Sequence, residues 1–142
     1  MRKEQVTSAQ NPKIKSLLAL QDKSKARRES GLFVLEGRRE LEHCLGAGYV
    51  PHTVFWCPEI ISWDELWAII ALAGEDAAQD ALYVEVPAHL YDKIALRGGT
   101  EGVVAQIKAK AHSLEALNLP EDPLDIQIQD IVEVFYMFSR EA

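Results

Sequence analysis

Leu32-Phe33-Val34-Leu35-Glu36-Gly37-Arg38-Arg39-Glu40-Leu41 switches its hydrophobic period within ten residues. The continuous apolar run Leu32 to Leu35 is that of a strand buried on both faces. Glu36-Gly37 ends it. From Arg38 to Ala47 the apolar positions Leu41, Cys44 and Leu45 fall at i, i+3 and i+4, one stripe of a helix, with Gly46 and Gly48 as stop signals. A buried strand feeding an amphipathic helix is the opening of a strand-helix-strand unit, and the chain repeats it. Thr53 to Cys57, after Pro51, is a second strand. A helix capped by Ser62 or Asp64 carries Leu66, Trp67, Ile69, Ile70 and Ala73 up to Gly74. Leu82 to Val86 is a strand, Pro87 opens a short helix through Tyr91, Ile94 and Ala95, and Gly102 to Ile107 is a further strand beyond the Gly98-Gly99 break. Upstream, Asn11-Pro12 starts a helix bearing Ile14, Leu17 and Leu18 that ends near Asp22, with Asn11 as N-cap and Pro12 in the first helical position. Lys23 to Gly31 reads as a polar, basic stretch, and Asp76 to Asp80 as a loop or frayed end. The expected fold class is α/β, a mainly parallel sheet covered on both faces.

Charge is divided along the chain. Residues 1–39 hold ten Lys/Arg against four Asp/Glu, and residues 40–142 hold five against eighteen, so an acidic protein of net charge −7 has a basic front end. Such an end suits a polyanion, although a charge run by itself is more often a solvated face. A hydrophobic content of 48% with 26% charged residues is ordinary for one globular domain of 142 residues. The two cysteines, Cys44 and Cys57, form no CxxC and read as reduced core residues of a cytoplasmic protein. His43, His52, His89 and His112 lack metal-ligand spacing and a nearby nucleophile, so hydrolase and metal-site readings have little support. No apolar stretch approaches the ~18 residues of a membrane span, and no signal-peptide pattern is seen, so no membrane partner is expected.

Leu119-Pro120-Glu121-Asp122-Pro123 has the composition of a rigid connector. The expected organisation is an N-terminal basic helix over 1–22, an α/β binding domain over 23–118, a linker over 119–124 and an atypical tail over 125–142. The tail's cluster Val132, Val134, Phe135, Tyr136, Met137 and Phe138 is too short to bury itself, which points to packing on the domain, to a homodimer or to disorder.

Ser8-Ala9-Gln10-Asn11-Pro12-Lys13-Ile14-Lys15, Lys25-Ala26-Arg27-Arg28, Phe33-Val34-Leu35-Glu36-Gly37-Arg38-Arg39-Glu40-Leu41 and Arg97-Gly98-Gly99-Thr100-Glu101-Gly102-Val103-Val104-Ala105 occur in an order and spacing that resembles the N-terminal substrate-binding domain of SpoU-type RNA 2′-O-ribose methyltransferases. The match runs from about residue 7 to about residue 123. The resemblance implies a three-layer α/β/α sandwich with a mainly parallel or mixed sheet, similar to ribosomal kink-turn-binding proteins and preceded by an N-terminal helix. It also implies an RNA substrate, ribosomal or transfer, and S-adenosylmethionine as methyl donor of the full-length parent. In the family the connector leads to an Asn-Pro-Gly-Asn-x-Gly-x-x-x-Arg segment and a knotted catalytic domain. Asp125 to Ala142 contains no glycine, no asparagine and only Arg140. The chain thus reads as stopping before the catalytic half. No catalytic, cofactor-binding or metal-binding residue is assigned, and no cofactor is expected in this chain.

Lys and Arg neutralise phosphates and release counterions, and Arg adds a bidentate fork. The expected RNA-binding residues are Lys13, Lys15, Lys25, Arg27, Arg28, Arg38, Arg39 and Arg97. Asn11 reads as a helix cap first and an RNA contact second. Gly37 permits a strand-to-helix turn, with Glu36 either complementing the first turn of the next helix and pairing Arg39, or fixing an arginine for RNA. Gly98-Gly99-Thr100 reads as a plain turn before a loop open to phosphate. Trp56, Trp63 and Trp67 suit core packing better than base stacking. Two functional classes follow: the RNA-recognition domain of a methyltransferase, inactive alone, and a standalone RNA- or protein-interaction module dimerising through its tail.

Overall fold

The computed structural model describes residues 1–96 and 101–110. In chain order the elements are β1 (Arg2–Gln5), α1 (Pro12–Asp22), α2 (Ser24–Ser30), β2 (Leu32–Glu36), α3 (Arg38–Gly46), β3 (Val50–Trp56), α4 (Trp63–Ile70), a 3₁₀ turn (Ala71–Ala73), α5 (Glu75–Asp80), β4 (Leu82–Glu85), α6 (Ala88–Ile94) and β5 (Val103–Lys108). The strands form one sheet in the order β1-β4-β3-β5-β2. β1, β4 and β3 pair in parallel, and β5 runs antiparallel to both β3 and β2. The sheet is therefore mixed, with four strands pointing one way and β5 the other. A run buried on both faces looks the same in either direction, so the residues of β5 do not announce its reversal.

Alternation along each strand sends its side chains to two cores. Phe33, Leu35, Val54, Trp56, Tyr83, Val103, Ala105 and Ile107 meet α3, α4 and α5. Val34, Phe55, Val84 and Val104 meet α1 and α6 through Ile14, Leu17, Leu20, Leu90, Tyr91 and Ile94, and α2 adds Ala26 at the edge of this cluster. These are the three layers of an α/β/α sandwich.

Local signals place the helices. Asn11 Oδ1 accepts the Lys13 backbone N–H at 2.9 Å, with Pro12 in the first turn of α1. Ser62 and Glu65 form a reciprocal capping box on α4, with Ser62 Oγ accepting the Glu65 N–H at 3.1 Å and Glu65 Oε1 accepting the Ser62 N–H at 3.3 Å. Gly37 takes φ 112° at the turn from β2 to α3, a conformation that side-chain-bearing residues rarely adopt.

Several expectations are corrected. Residues 1–22 hold the strand β1 as well as the N-terminal helix, and α1 packs into the core through Ile14, Leu17 and Leu20. Lys23 to Gly31 contains α2, closed by Gly31 in the left-handed conformation. Asp76 to Asp80 belongs to α5. Other expectations agree with the structure: Cys44 and Cys57 are buried free thiols, and Trp56 lies in the core, with Trp63 packed against it at 5.2 Å between ring centroids and stacked on Trp67 at 5.6 Å. The connector 119–124 and the tail 125–142 lie outside the described residues.

Candidate nucleic-acid interface

The sheet separates the charges of the chain. The helices on one face, α1, α2 and α6, carry six basic residues (Lys13, Lys15, Lys25, Arg27, Arg28, Lys93) and three acids (Asp22, Glu29, Asp92). Those on the other, α3, α4 and α5, carry two basic residues (Arg38, Arg39) and seven acids. One helical layer is thus net positive and the opposite one net negative. A polyanion approaching the domain meets a favourable potential on the α1–α2 side.

On that side Lys15, Lys25 and Arg28 are exposed. Lys25 has a weak i, i+4 partner in Glu29 at 3.8 Å and a side chain 80% exposed, so little is lost when it turns to another anion. Lys13 is half-buried and paired with Glu4 at 2.6 Å. Arg27 is corrected: it is fully buried, and its Nη1 donates to the Leu20 carbonyl in the last turn of α1. A guanidinium spent on bridging α1 to α2 inside the fold is not available to a ligand surface.

Arg38 and Arg39 stand apart from this group, at the start of α3 on the acidic side. Arg39 is exposed. Arg38 is engaged by the protein on three sides: Nε donates to the Glu101 carbonyl at 3.0 Å, Nη2 to the Ile60 carbonyl at 2.8 Å, and Nη1 to Glu65 Oε2 at 3.0 Å. The expectation of an open arginine fork is corrected to that of a clamp joining α3, the start of α4 and the entry to β5. Glu65 titrates below the usual carboxylate range because Ser62 hydrogen-bonds it and Arg38 lies alongside. Arg97 and Gly98-Gly99-Thr100 lie outside the described residues.

The placement of Glu36 is corrected. It ends β2 instead of entering α3, and its Oε1 accepts the Leu96 backbone N–H. Glu40 is the acid in the first turn of α3. Among the described residues no group of three His, Cys, Asp or Glu is placed to hold a metal ion, and no helix is long and apolar enough to cross a membrane.

The fold and its two-sided charge define an α/β binding domain with a basic helical layer. Residues 11–105 match the family model of the MRM3-like substrate binding domain, and the chain belongs to that family. Among solved structures it is similar to an RNA 2′-O ribose methyltransferase, at 26% identity and a TM-score of 0.60 over 75% of this chain and 38% of that one. It is similar in fold to an AdoMet-bound rRNA methyltransferase from Sinorhizobium meliloti, at 24% identity and a TM-score of 0.61 over 76% of this chain and 37% of that one. The SpoU methyltransferase AviRb from Streptomyces viridochromogenes, 18% identical, shares the fold at a TM-score of 0.56 over 72% of this chain and 37% of that one. No curated protein matches the sequence. The chain thus spans less than two-fifths of the length of these relatives.

Close approach of a methyl donor needs open backbone. Gly37 and Gly102, two positive-φ glycines beside α3, are closed to such an approach: a Cβ on Gly37 would meet Glu40 Oε2 at 2.5 Å, and one on Gly102 would meet Ile61 Cγ2 at 2.8 Å. No step is derived through the donor.

Proposed function

We propose that this chain is the RNA substrate-recognition domain of a SpoU-type 2′-O-ribose methyltransferase and that its α1–α2 face meets a structured RNA, ribosomal or transfer, in the cytoplasm. The observation that carries this is the division of charge between the two helical layers. Lys15, Lys25 and Arg28 supply the sequence-independent attraction, and Lys13 extends it once released from Glu4. Arg39, and Arg97 on the resemblance, belong to a second contact region. The domain binds without transferring a methyl group by itself. S-adenosylmethionine belongs to a catalytic unit that works with this domain, a reading supported by the AdoMet-bound methyltransferases that share its fold.

Fluorescence anisotropy of a labelled structured RNA against salt concentration tests the reading. The affinity should fall with salt, and the K15E/K25E/R28E triple variant should flatten the slope of log K against log salt by roughly two to three. Charge reversal of three acids on α4 and α5 serves as the control. A triple variant with unchanged affinity and slope would overturn the assignment of the face.

A further inference from the structure

Strand β3 carries an extra residue opposite β5. Its partners step from Pro51↔Ile107 directly to Thr53↔Gln106, so His52 is bulged out of the ladder. Neighbouring residues on a regular strand point to opposite faces. A bulge redirects them, and here His52 Nδ1 lies 2.8 Å from Thr53 Oγ1. The redirected pair borders a slot of about 230 Å³ between the bulge and the first turns of α1, in which Leu82 and Pro12 offer apolar surface above the buried Phe55 ring and which Lys13 and His52 also line. Thr53 and Gln106, each 4% exposed, are polar side chains on an otherwise apolar stretch of sheet, and both line this slot. The sheet's other core-facing positions are filled by Val, Leu, Ile, Ala, Phe, Tyr and Trp.

A mostly apolar recess with a few convergent polar groups is the form of a small-ligand site. Unpaired RNA bases are held in this manner, with the ring against apolar or aromatic surface and the edge read by hydrogen bonds. The volume suits one nucleotide rather than a stacked pair. Cations surround the position: Lys108 and Arg2 act on His52, which burial and their charge hold below its ordinary titration range against the opposing hydrogen bond with Gln106. The slot lies beside α1, the helix that carries Lys13 and Lys15.

We propose that this slot receives a single unpaired nucleotide of the bound RNA, its base against Leu82 and Pro12 and read by Gln106 and Thr53, its phosphate beside Lys13 and His52. The proposal rests on the reading of the domain as an RNA binder. Glu4 holds Lys13 at 2.6 Å, so an incoming phosphate competes with a carboxylate of the protein itself. That competition gives the proposal a distinctive signature, because removing the Glu4 charge should strengthen binding.

The test uses the full chain, nucleoside 5′-monophosphates, and a randomised single-stranded pentanucleotide. In NMR titrations the mononucleotides should shift the His52 ring and Gln106 amide signals and leave His43 and His89 in place. His52→Ala and Gln106→Leu should each weaken pentanucleotide binding by about fivefold, and Glu4→Gln should tighten it by about twofold. Thr53→Val, which keeps the side-chain shape, covers the case in which the Gln106 variant fails to fold. Equal shifts at His43 and His89, or weaker binding by Glu4→Gln, would overturn the slot. The RNA reading survives that result if the K15E/K25E/R28E variant still loses affinity for structured RNA, and falls with it if that variant behaves as the parent.

Discussion

Arg38 grips Glu101 at two points, its backbone N–H donating to Glu101 Oε1 at 3.1 Å and its Nε to the Glu101 carbonyl at 3.0 Å. The residue that starts α3 thereby fixes the residue that leads into β5. With the bonds to Ile60 and Glu65, the guanidinium fork satisfies acceptors on two separate segments. Arg38→Ala should lower stability by about 2 kcal/mol in urea denaturation, since charge-assisted bonds are lost and carbonyls are left without a donor. Arg38→Lys should recover little, because a single ammonium cannot reproduce the fork. A lysine variant as stable as the parent would show that charge alone matters here.

Arg27 and Arg28 are neighbours in sequence and opposites in role. Arg27 is fully buried and bridges α2 to the Leu20 carbonyl, whereas Arg28 is exposed on the basic face. Arg27→Ala should cost about 2–4 kcal/mol through the cavity and the lost bond to α1. Arg28→Ala should change stability by less than about 0.5 kcal/mol while weakening RNA binding. Paired thermal melts and binding isotherms separate the two effects; a stable Arg27→Ala protein with a large RNA defect would reverse the assignment.

This pair also marks how far the residues alone could be read. The strand β2, the helix α3 and the cap on α1 were legible because each carries its own local cause: a continuous apolar run, an i, i+3, i+4 stripe, and Asn11 before Pro12. β1 was not, since Arg2–Gln5 has no apolar residue and is a strand only because β4 lies beside it. α2 was hidden for a similar reason. Its sequence is nearly all polar, and its anchoring residue is an arginine that pattern reading assigns to the surface. The positive front end of the chain was visible from composition, but its placement on one face depends on which helices share a side of the sheet. The bulge at His52 depends on strand register, which two unpaired sequences do not reveal.

Gly31 and Gly102 both take positive φ, 71° and 84°, yet they should respond differently to alanine. A Cβ on Gly31 meets open space, so Gly31→Ala should cost about 1 kcal/mol, the conformational penalty alone. On Gly102 the Cβ would lie 2.8 Å from Ile61 Cγ2 and 3.0 Å from Ile60 Cβ, and the segment carrying them is held by the Arg38 clamp. Gly102→Ala should therefore cost about 3 kcal/mol or more, strain added to conformation. Equal costs in chemical denaturation would mean that the Ile60-Ile61 segment yields freely.

Stability should fall on the alkaline side for an identifiable reason. Burial pushes the thiol of Cys44 and the phenols of Tyr83 and Tyr91 each up to about 12. Tyr83 is fully buried and donates its hydroxyl proton to the Ala78 carbonyl at 2.6 Å, a bond that exists only in the neutral form. All three groups hold their protons more tightly in the folded chain than in the unfolded one. Their contribution is therefore complete below about pH 8, where the unfolded thiol and phenols are all still protonated, and is lost as pH rises from there toward their folded values, the thiol's share first. The loss should be on the order of a few kcal/mol by about pH 11. Tyr83→Phe keeps the ring, gives up about 1 kcal/mol at neutral pH for the lost hydrogen bond, and should make the alkaline decline shallower. Urea midpoints measured across this range decide the matter: a parent protein whose midpoint stays flat, or a Tyr83→Phe variant with an identical decline, would show that the buried phenol does not govern the transition.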